Sequence, residues 1–350
     1  MTSPEQYRAL KERAAIGAIA PRHAIGVAGK DRAGYLQGLL TNDIQALTPG
    51  TGCYAAWLTP QGRMLTDMHV FESGDMILLD VPALVLPATL QRLEHFLFSE
   101  DVQLADLSET LKAVWVHGPA APSMLEQVLT GASGLAAGLA AGLASGLAAW
   151  PDYHNTRAEF SGVPVVVARV SQLGVPGFVI YIEPARQPDL QRALVERGAV
   201  AAEHAAIEAA RIEAGYPLFG VDMTDETIPL EAGIEDRAIS LSKGCYVGQE
   251  VIIRVLHRGH GRVAKRLVAL RMQSEQSQPQ EVPASGARIF FEARDIGGVT
   301  TAASSPRFGP IALAYVHRDF VAPGTRVEVE TPSGRVAAVV SERPISSAAL

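Results

Sequence analysis

The sequence predicts an α+β fold with a small β-barrel at its C-terminal end, and three observations lead to this class. A chain of 350 residues exceeds one ordinary hydrophobic core, so two or three domains are expected. Up to position 262 helical and strand-like segments alternate, whereas beyond it short strands follow one another between Gly, Pro and Ser turns. A hydrophobic fraction of 48% with 19% charged residues is that of a globular protein rather than a disordered one.

Apolar periodicity locates the individual elements. It predicts helices at positions 31–40, 86–99, 188–197 and 201–214. Alternating or β-branched runs predict strands at positions 54–58, 68–79, 163–170 and 178–182. The predicted barrel strands are 267–270, 287–291, 297–301, 311–316, 327–330 and 335–340. The chain therefore divides into a region at 1–262 and a barrel at 263–350.

Charge and cysteine content restrict the class of protein. Thirty basic against 37 acidic residues give a net charge of −7, which argues against a general binder of nucleic acid or anionic membranes. The two cysteines, Cys53 and Cys245, cannot staple a chain of this length, so a reducing compartment is expected. The first residues are polar and lack the apolar core of a signal peptide. We therefore expect a cytoplasmic protein.

The segment 131–149 consists almost wholly of Gly, Ala, Leu and Ser, and it repeats the unit Gly-Leu-Ala-Ala. Its length and the spacing of its small residues resemble a membrane helix. However, Gly and Ala dilute the hydrophobicity, and no basic residues flank the segment. We expect a surface insertion without chemistry and no membrane span.

The loop at positions 243–250 carries the strongest functional signal. Cys245 stands between two glycines, after Lys243 and before Gln249 and Glu250. A neighbouring lysine can lower the pKa of a thiol, and a turn leaves the sulfur accessible. A cysteine that only packs in a glycine turn would need none of these neighbours. The spacing of Cys245 from the histidines that follow it is not that of a zinc site, so no metal is predicted.

Two further places combine polar groups with apolar surroundings. Arg254 lies in an apolar segment that reads as a strand, within a stretch rich in arginine and free of acids, which suits carboxylates or phosphates. Its alternative is a solvated strand edge. Asn42 and Asp43 follow the first predicted helix, where Asn-Asp is ordinary turn chemistry.

The loop at 243–250 resembles the signature loop of the YgfZ family, folate-binding proteins that are similar to the aminomethyltransferase (T protein) of the glycine cleavage system. Further blocks that resemble this family follow in the right order along the chain, at 36–43, 211–217, 230–233 and 297–316. The cysteine loop is specific to the YgfZ family, whereas the other blocks are shared with the aminomethyltransferases.

The resemblance implies three domains arranged in a ring, with tetrahydrofolate in the central hole of a monomeric protein. It implies two interleaved α+β subdomains within 1–262. An aspartate of the aminomethyltransferases that matches Asp43 supports methylene transfer, so catalysis by Asp43 stays open. The positions that the resemblance assigns to folate are Asn42, Asp43, Tyr181, Lys243, Tyr246, Gln249, Glu250 and Arg254.

The chain departs from both families at some ligand positions. Val179 stands where the transferases carry the glutamate that anchors the pterin, and a valine cannot accept from pterin N–H groups. Arg22 and Ile207 stand where some YgfZ members have tryptophans that flank the folate. Stacking would then come from Trp57 or Tyr246, and the pterin needs another acceptor.

Three functions are compatible with this pattern. The first is a tetrahydrofolate-binding accessory protein in iron–sulfur protein maturation or repair, which affects transfer RNA modification indirectly. Cys245 would then be the redox-active or cluster-contacting thiol, and iron–sulfur proteins or their assembly factors would be the partners. The alternative is a folate-dependent aminomethyltransferase, or another one-carbon transferase, that uses Asp43. The third is a binding module that has lost folate.

Overall fold

A computed structural model describes residues 2–131, 146–257, 261–273 and 281–346. Two β-sheets, a closed β-barrel and the helices between them make up the fold. Most of the Gly/Ala-rich segment lies outside the described residues. No helix within the described part of the chain is both long and apolar enough to cross a membrane.

The helices and strands have the following bounds. The helices are α1 Pro4–Glu12, α2 Arg32–Leu39, α3 Leu86–His95, α4 Ala121–Val128, α5 Gln187–Glu196, α6 His204–Ala214, α7 Pro229–Ala232, α8 Glu235–Ala238 and α9 Gln249–His257. The strands of the first half are β1 Ala15–Ile16, β2 Arg22–Ala28, β3 Gly52–Leu58, β4 Met64–Glu72, β5 Met76–Pro82, β6 Gln103–Asp106, β7 Lys112–His117 and β8 Thr130–Gly131. Those of the second half are β9 Asn155–Phe160, β10 Val163–Arg169, β11 Gly177–Ile182, β12 Val200–Ala201, β13 Lys265–Met272, β14 Arg288–Phe291, β15 Arg294–Ser305, β16 Gly309–His317, β17 Arg326–Thr331 and β18 Gly334–Ser341.

The first sheet is five-stranded, with the order β3-β4-β5-β2-β6, and its strand pairs are antiparallel. Side chains alternate between its two faces because successive residues of a strand point in opposite directions. One face packs against α2 and α3 through an apolar core that includes Trp57, Met68 and Val70. The other face carries Asp67, His69 and further polar groups.

The second sheet is seven-stranded, with the order β12-β1-β7-β11-β10-β9-β8. Its first strand, β1, pairs parallel with β12 and antiparallel with β7, so the sheet joins distant parts of the chain. One of its faces buries an apolar core with α4 and α5. The opposite face meets the polar face of the five-stranded sheet, where Trp115, Val179 and Tyr181 pack with Phe71 and Leu78.

The C-terminal strands close into a six-stranded barrel with the order β13-β16-β15-β14-β17-β18. An apolar core fills it, and a second cluster packs its outer surface against Ile212 of α6. Hydrogen bonds also stabilise the contact between α6 and the barrel. Glu213 accepts hydrogen bonds from the hydroxyl groups of Tyr7, at 2.8 and 2.9 Å, and of Ser305, at 2.6 Å.

The predicted fold class is confirmed: helices and sheets mix in the first part, and a closed barrel of six strands follows. The predicted strand at 68–79 is wrong in one respect, because a turn at 73–75 divides it into β4 and β5.

The strand predicted around Arg254 is also wrong, because the segment forms the helix α9. Its β-branched residues favour a strand locally. However, the buried Ile252 and the half-buried Val255 and Leu256 recur at helical spacing on one side. The acidic Glu250 in the first turn and the basic Arg254 in the last turn also suit the helix dipole.

Candidate functional site

The loop at 243–250 is anchored by the side chain of Lys243. Its amino group donates hydrogen bonds to the backbone oxygens of Gln37 at 2.6 Å, Leu40 at 2.6 Å and Asn42 at 2.9 Å. These carbonyl groups stand at the C-terminal end of α2, where a helix leaves acceptors unpaired and where a positive charge is favoured. Three protons meet three acceptors, so Lys243 holds the loop onto the turn after α2.

Charge and burial around Lys243 oppose each other. Burial lowers the pKa of Lys243 to about 8, and the charge of Asp43 acts in the opposite direction. Cys53, on β3, lies close enough for Lys243 to favour its thiolate, but burial raises the pKa of Cys53 to about 12. Cys53 is therefore a thiol at neutral pH.

Asn42 and Asp43 are both held by hydrogen bonds, Asn42 to distant elements and Asp43 within its own turn. The Asn42 side-chain amide donates to the backbone oxygens of Tyr54, at 2.8 Å, and Arg237, at 3.0 Å. The Asp43 carboxylate accepts from the side-chain amide of Gln37 at 3.0 Å. Asn42 thus ties the turn to β3 and α8, while Asp43 stays half-buried beside the anchored loop.

Cys245 is exposed, unlike Lys243 and Tyr246 on either side of it. The amino group of Lys243 is directed at the α2 carbonyls and lies 5.2 Å from the centroid of the Tyr246 ring. Burial raises the pKa of Tyr246 to about 12. The lysine therefore positions the loop that presents Cys245, and its hydrogen bonds go to the backbone.

Gly248 fixes the exit of this loop. Its φ is +85°, and an added Cβ would come within 2.5 Å of the Thr59 carbonyl oxygen, so only glycine fits without strain. Beyond it α9 begins, with Gln249 half-buried and Glu250 exposed. Arg254 is exposed as well, and it forms no ion pair within the described part of the chain.

A second group of polar residues is buried between the two sheets, and Arg22 lies at its centre. Its guanidinium group bonds to the Asp80 carboxylate, with Nε to Oδ2 at 2.6 Å, and to Asp67 Oδ1 at 3.2 Å. It also donates to the Asp80 backbone oxygen at 2.7 Å. All three side chains are less than one tenth exposed. We call Arg22, Asp67, Asp80, His69, Tyr54 and Tyr181 the buried polar cluster.

His69 extends the buried polar cluster toward the second sheet. Its Nδ1 lies 2.7 Å from Asp80 Oδ2, and its Nε2 lies 3.2 Å from the side-chain amide of Gln172. Burial, reinforced by the charge of Arg22, lowers the pKa of His69 despite the adjacent Asp80. The imidazole is therefore neutral near pH 7, and the charged groups of the cluster are two carboxylates and one guanidinium.

Tyr54 and Tyr181 each place a hydroxyl group beside one carboxylate of the buried polar cluster. The Tyr54 hydroxyl donates to Asp67 Oδ2 at 2.8 Å. Burial, and then the charge of the neighbouring Asp80, raise the pKa of the Tyr181 hydroxyl group. The Tyr181 oxygen and Asp80 Oδ1 are nevertheless both buried without a well-formed hydrogen bond to any described residue. Buried polar atoms usually have a partner, so these two neighbouring oxygens stand out from the rest of the interior.

Arg237 lies on the other side of Tyr54, between two aromatic rings. Its guanidinium carbon is 3.9 Å from the ring centroid of Tyr216 and 5.0 Å from that of Tyr54. The same two residues, Tyr216 and Arg237, line an open cleft of about 470 Å³ between the central segment and the barrel. The buried polar cluster and this cleft are thus separated by the Tyr54 ring.

The residues predicted from the sequence fall into separate places. Asn42, Asp43, Lys243 and Tyr246 come together at the end of α2, whereas Tyr181 belongs to the buried polar cluster. Ile207, which stands where some YgfZ members have a tryptophan that flanks the folate, is buried in an apolar cluster with α1. Trp57 lies in the core between the five-stranded sheet and α2, on the face away from the buried polar cluster.

Sequence analysis missed Asp67, Asp80, His69 and Arg237. A signal for three of them was present, because Asp67, His69 and Asp80 are polar residues inside otherwise apolar strands. A polar side chain that is buried needs a polar partner, so several of them in one sheet indicate either a functional cluster or a structural network. Within the described ranges no three His, Cys, Asp or Glu residues are arranged to hold a metal ion, and His260 lies outside those ranges.

Known proteins with the same organisation are similar to this chain over nearly its full length. The aminomethyltransferase of Nostoc sp. is 28% identical over 347 residues, which cover 97% of this chain and 86% of that protein. The aminomethyltransferase of Bacillus subtilis is 26% identical over 346 residues, with 97% and 90% covered. The crystal structure of the glycine cleavage system aminomethyltransferase T from Bartonella henselae superposes with a TM-score of 0.83 at 22% identity, covering 99% of this chain and 91% of that one.

These similarities agree with the transferase alternative of the sequence analysis. They do not confirm membership of the YgfZ family or a role in iron–sulfur maturation. Residues 2–243 match the GCVT N-terminal domain, and residues 265–346 match the glycine cleavage T-protein C-terminal barrel domain. The chain therefore belongs to the glycine cleavage T-protein family.

Proposed function

We propose that this protein is a folate-dependent aminomethyltransferase. The observation that carries the proposal is a pair of buried carboxylates, Asp67 and Asp80, in a chain that resembles proteins of that name over nearly its whole length. The two carboxylates share one guanidinium group, that of Arg22, and His69, which bonds to Asp80, is neutral. Counting ion pairs alone, one negative charge of the pair is left to stabilise an electropositive reaction centre, and Arg237 acts on Asp67 from beyond ion-pair distance.

We infer that the buried polar cluster receives the ring system of tetrahydrofolate. A pterin edge presents N–H donors, and Val179 offers them no acceptor. Asp80, on the opposite sheet, has a buried oxygen without a well-formed hydrogen bond, and the Tyr181 hydroxyl lies beside it. The rings of His69 and Tyr153 stack nearby, with their centroids 5.9 Å apart. We assign pterin recognition to Asp80 and Tyr181.

Asp67 is the better candidate for the proton-transfer group. Tetrahydrofolate, when bound, supplies the nitrogens that take up the methylene group. Asp67 is held in one orientation by Tyr54 and Arg22, so its carboxylate is preorganised to accept a proton or to face a developing positive charge. Asp43 remains the alternative, with a half-buried carboxylate that its own turn holds.

The test measures methylenetetrahydrofolate formation from an aminomethylated lipoyl carrier. Asp67→Asn keeps the size of the side chain and removes its charge, and we expect the rate to fall by about 100-fold or more. Asp43→Asn is the matched variant, and we expect it to retain most of the rate. Far-ultraviolet circular dichroism checks that both variants are folded.

Two results would contradict the assignment. If Asp43→Asn abolishes the reaction while Asp67→Asn retains it, the reacting groups lie beside the turn after α2. If the unmodified protein forms no product with a competent carrier, the transferase proposal itself fails.

A second candidate function is an accessory role in iron–sulfur protein maturation. It is favoured by Cys245, which is exposed on a loop that Lys243 holds in place. A thiol presented on a fixed loop is suited to contact a partner protein. In cells that carry only the Cys245→Ala variant, this function requires a loss of iron–sulfur enzyme activity. Normal activity with normal protein levels would exclude it.

A further inference from the structure

Arg237 is a half-buried arginine whose guanidinium group lacks a partner of opposite charge. The carboxylates of the described ranges lie farther from it than the 4.0 Å of an ion pair, and its guanidinium nitrogens have no hydrogen-bond acceptor there. Three aromatic rings surround it, since Tyr153 joins Tyr54 and Tyr216 as a neighbour, and the charge of Asp67 acts on it from beyond ion-pair distance. Because Arg237 also lines the open cleft, an acceptor that binds in the cleft has access to its guanidinium group.

Tyr216 adds a second unsatisfied group at the same place. Its hydroxyl oxygen is buried and makes no well-formed hydrogen bond with any residue that the structure describes, although Tyr153 lies beside it. Tyr216 also stacks on Arg237 at 3.9 Å, so the hydroxyl and the guanidinium belong to one wall of the cleft. Five N–H donors and one hydroxyl without acceptors indicate an anionic ligand.

The other cations of the cleft are already engaged. Arg266 bonds to the Glu235 carboxylate at 2.6 Å. Arg343 donates to the backbone oxygens of Gly215, at 3.3 Å, and Ala232, at 2.8 Å. Burial and the nearby Arg237 lower the pKa of Arg343 to about 10.

The acidic residues of the cleft leave room for an anion beside Arg237. Glu235 is paired with Arg266, and burial raises its pKa. Asp236 and Glu342 also line the cleft, and both are exposed to solvent, which screens their charge. Arg237 is thus the cation of this cleft that remains for a ligand.

Tyr54 connects this cation to the buried polar cluster. Its hydroxyl group bonds to Asp67, and its ring lies against Arg237. A ligand that contacts both the carboxylates and Arg237 must pass the Tyr54 ring, which separates the buried polar cluster from the open cleft. Tetrahydrofolate has this form, because its pterin continues through an aminobenzoyl group into a glutamate that carries carboxylates.

We propose that Arg237, assisted by Tyr216, binds a carboxylate of the glutamate tail of folate. This inference rests on the proposed function, since it takes the pterin to be held by the buried polar cluster. It makes Arg237 a determinant of specificity for folates that carry the tail. The contact would add affinity without touching the reacting atoms.

The test compares two ligands by calorimetry, tetrahydrofolate and tetrahydropteroate, which has the same rings without glutamate. The unmodified protein is expected to bind tetrahydrofolate about tenfold or more tightly than tetrahydropteroate. In Arg237→Met, which keeps the length of the side chain and removes its charge, this preference should disappear through weaker binding of tetrahydrofolate alone. Arg326→Met replaces an exposed arginine of the barrel strand β17; it is the matched control and should keep the preference.

Each remaining outcome has one meaning. If Arg237→Met weakens both ligands equally, Arg237 has a structural role and the inference is overturned. Equal affinity of the unmodified protein for both ligands overturns it as well, while folate binding itself stands. If neither ligand binds, the proposed function fails and the inference fails with it.

Discussion

Lys243→Met should detach the cysteine loop from the end of α2. The substitution keeps an unbranched side chain of similar length and leaves the backbone oxygens of Gln37, Leu40 and Asn42 without their donor. Only the contact with Leu40 is fully buried, whereas the other two oxygens are partly open to water. One buried acceptor left unpaired costs about 1–3 kcal/mol, and the two others add less. We therefore expect the free energy of unfolding to fall by about 3 kcal/mol.

The assay is urea unfolding at pH 7, with Lys265→Met as the control. Lys265 is exposed and contacts one aromatic ring, that of Tyr315, at 4.8 Å, so its loss should cost less than about 1 kcal/mol. A second readout is the rate at which Cys53 reacts with a thiol reagent in a Cys245→Ser background. That rate should rise when the loop is released. Equal stability of the two lysine variants, with unchanged Cys53 labelling, would refute the anchoring role.

Three further variants test other contacts. Burial lowers the pKa of His117 to about 4, whereas the same histidine in the unfolded chain titrates near 6.5 and therefore binds a proton first as the pH falls. The free energy of unfolding, measured with urea, should drop by about 3 kcal/mol between pH 6.5 and pH 4. His117→Gln should remove most of this pH dependence. Gly248→Ala should lower the thermal midpoint because φ is +85°, whereas Gly244→Ala, with open space around it, should not; equal midpoints would contradict the strain. Tyr7→Phe removes the hydroxyl bonded to both Glu213 oxygens and should cost about 1.5–3 kcal/mol by urea unfolding; a cost below about 0.5 kcal/mol would argue against the bond.

The barrel was predictable because its information is local. Most of its strands are short runs rich in apolar residues, and three of the six strand pairings join strands that follow one another in the chain, as β15 does with β14 and β16. The helix α9 was mispredicted because Val251, Ile252 and Ile253 favour a strand by their branching. Burial of Ile252 against the central core overrides that preference.

The sequence marks single members of the buried polar cluster as polar residues in apolar strands, but it does not show that they meet. Arg22, Asp67 and Asp80 lie on three strands, and their meeting depends on how β2, β4 and β5 are aligned. The register that places His69 opposite Asp80, and Ala24 opposite the same residue, decides which side chains share a face. A pattern of alternating residues shows that each strand has two faces, and it does not show which polar residues will meet.

The parallel pairing of β1 with β12 bears on how the chain folds as it is synthesised. All strands of the five-stranded sheet lie within residues 22–106, so this sheet can form once that stretch has left the ribosome. The two residues of β1 precede it, yet one of their neighbouring strands, β12, is made much later. The strand β1 therefore lacks one of its two neighbouring strands until β12 has been synthesised. Contacts between residues so far apart in the sequence slow folding. The seven-stranded sheet, rather than the barrel, is therefore the step at which a nascent chain is most exposed to misassembly.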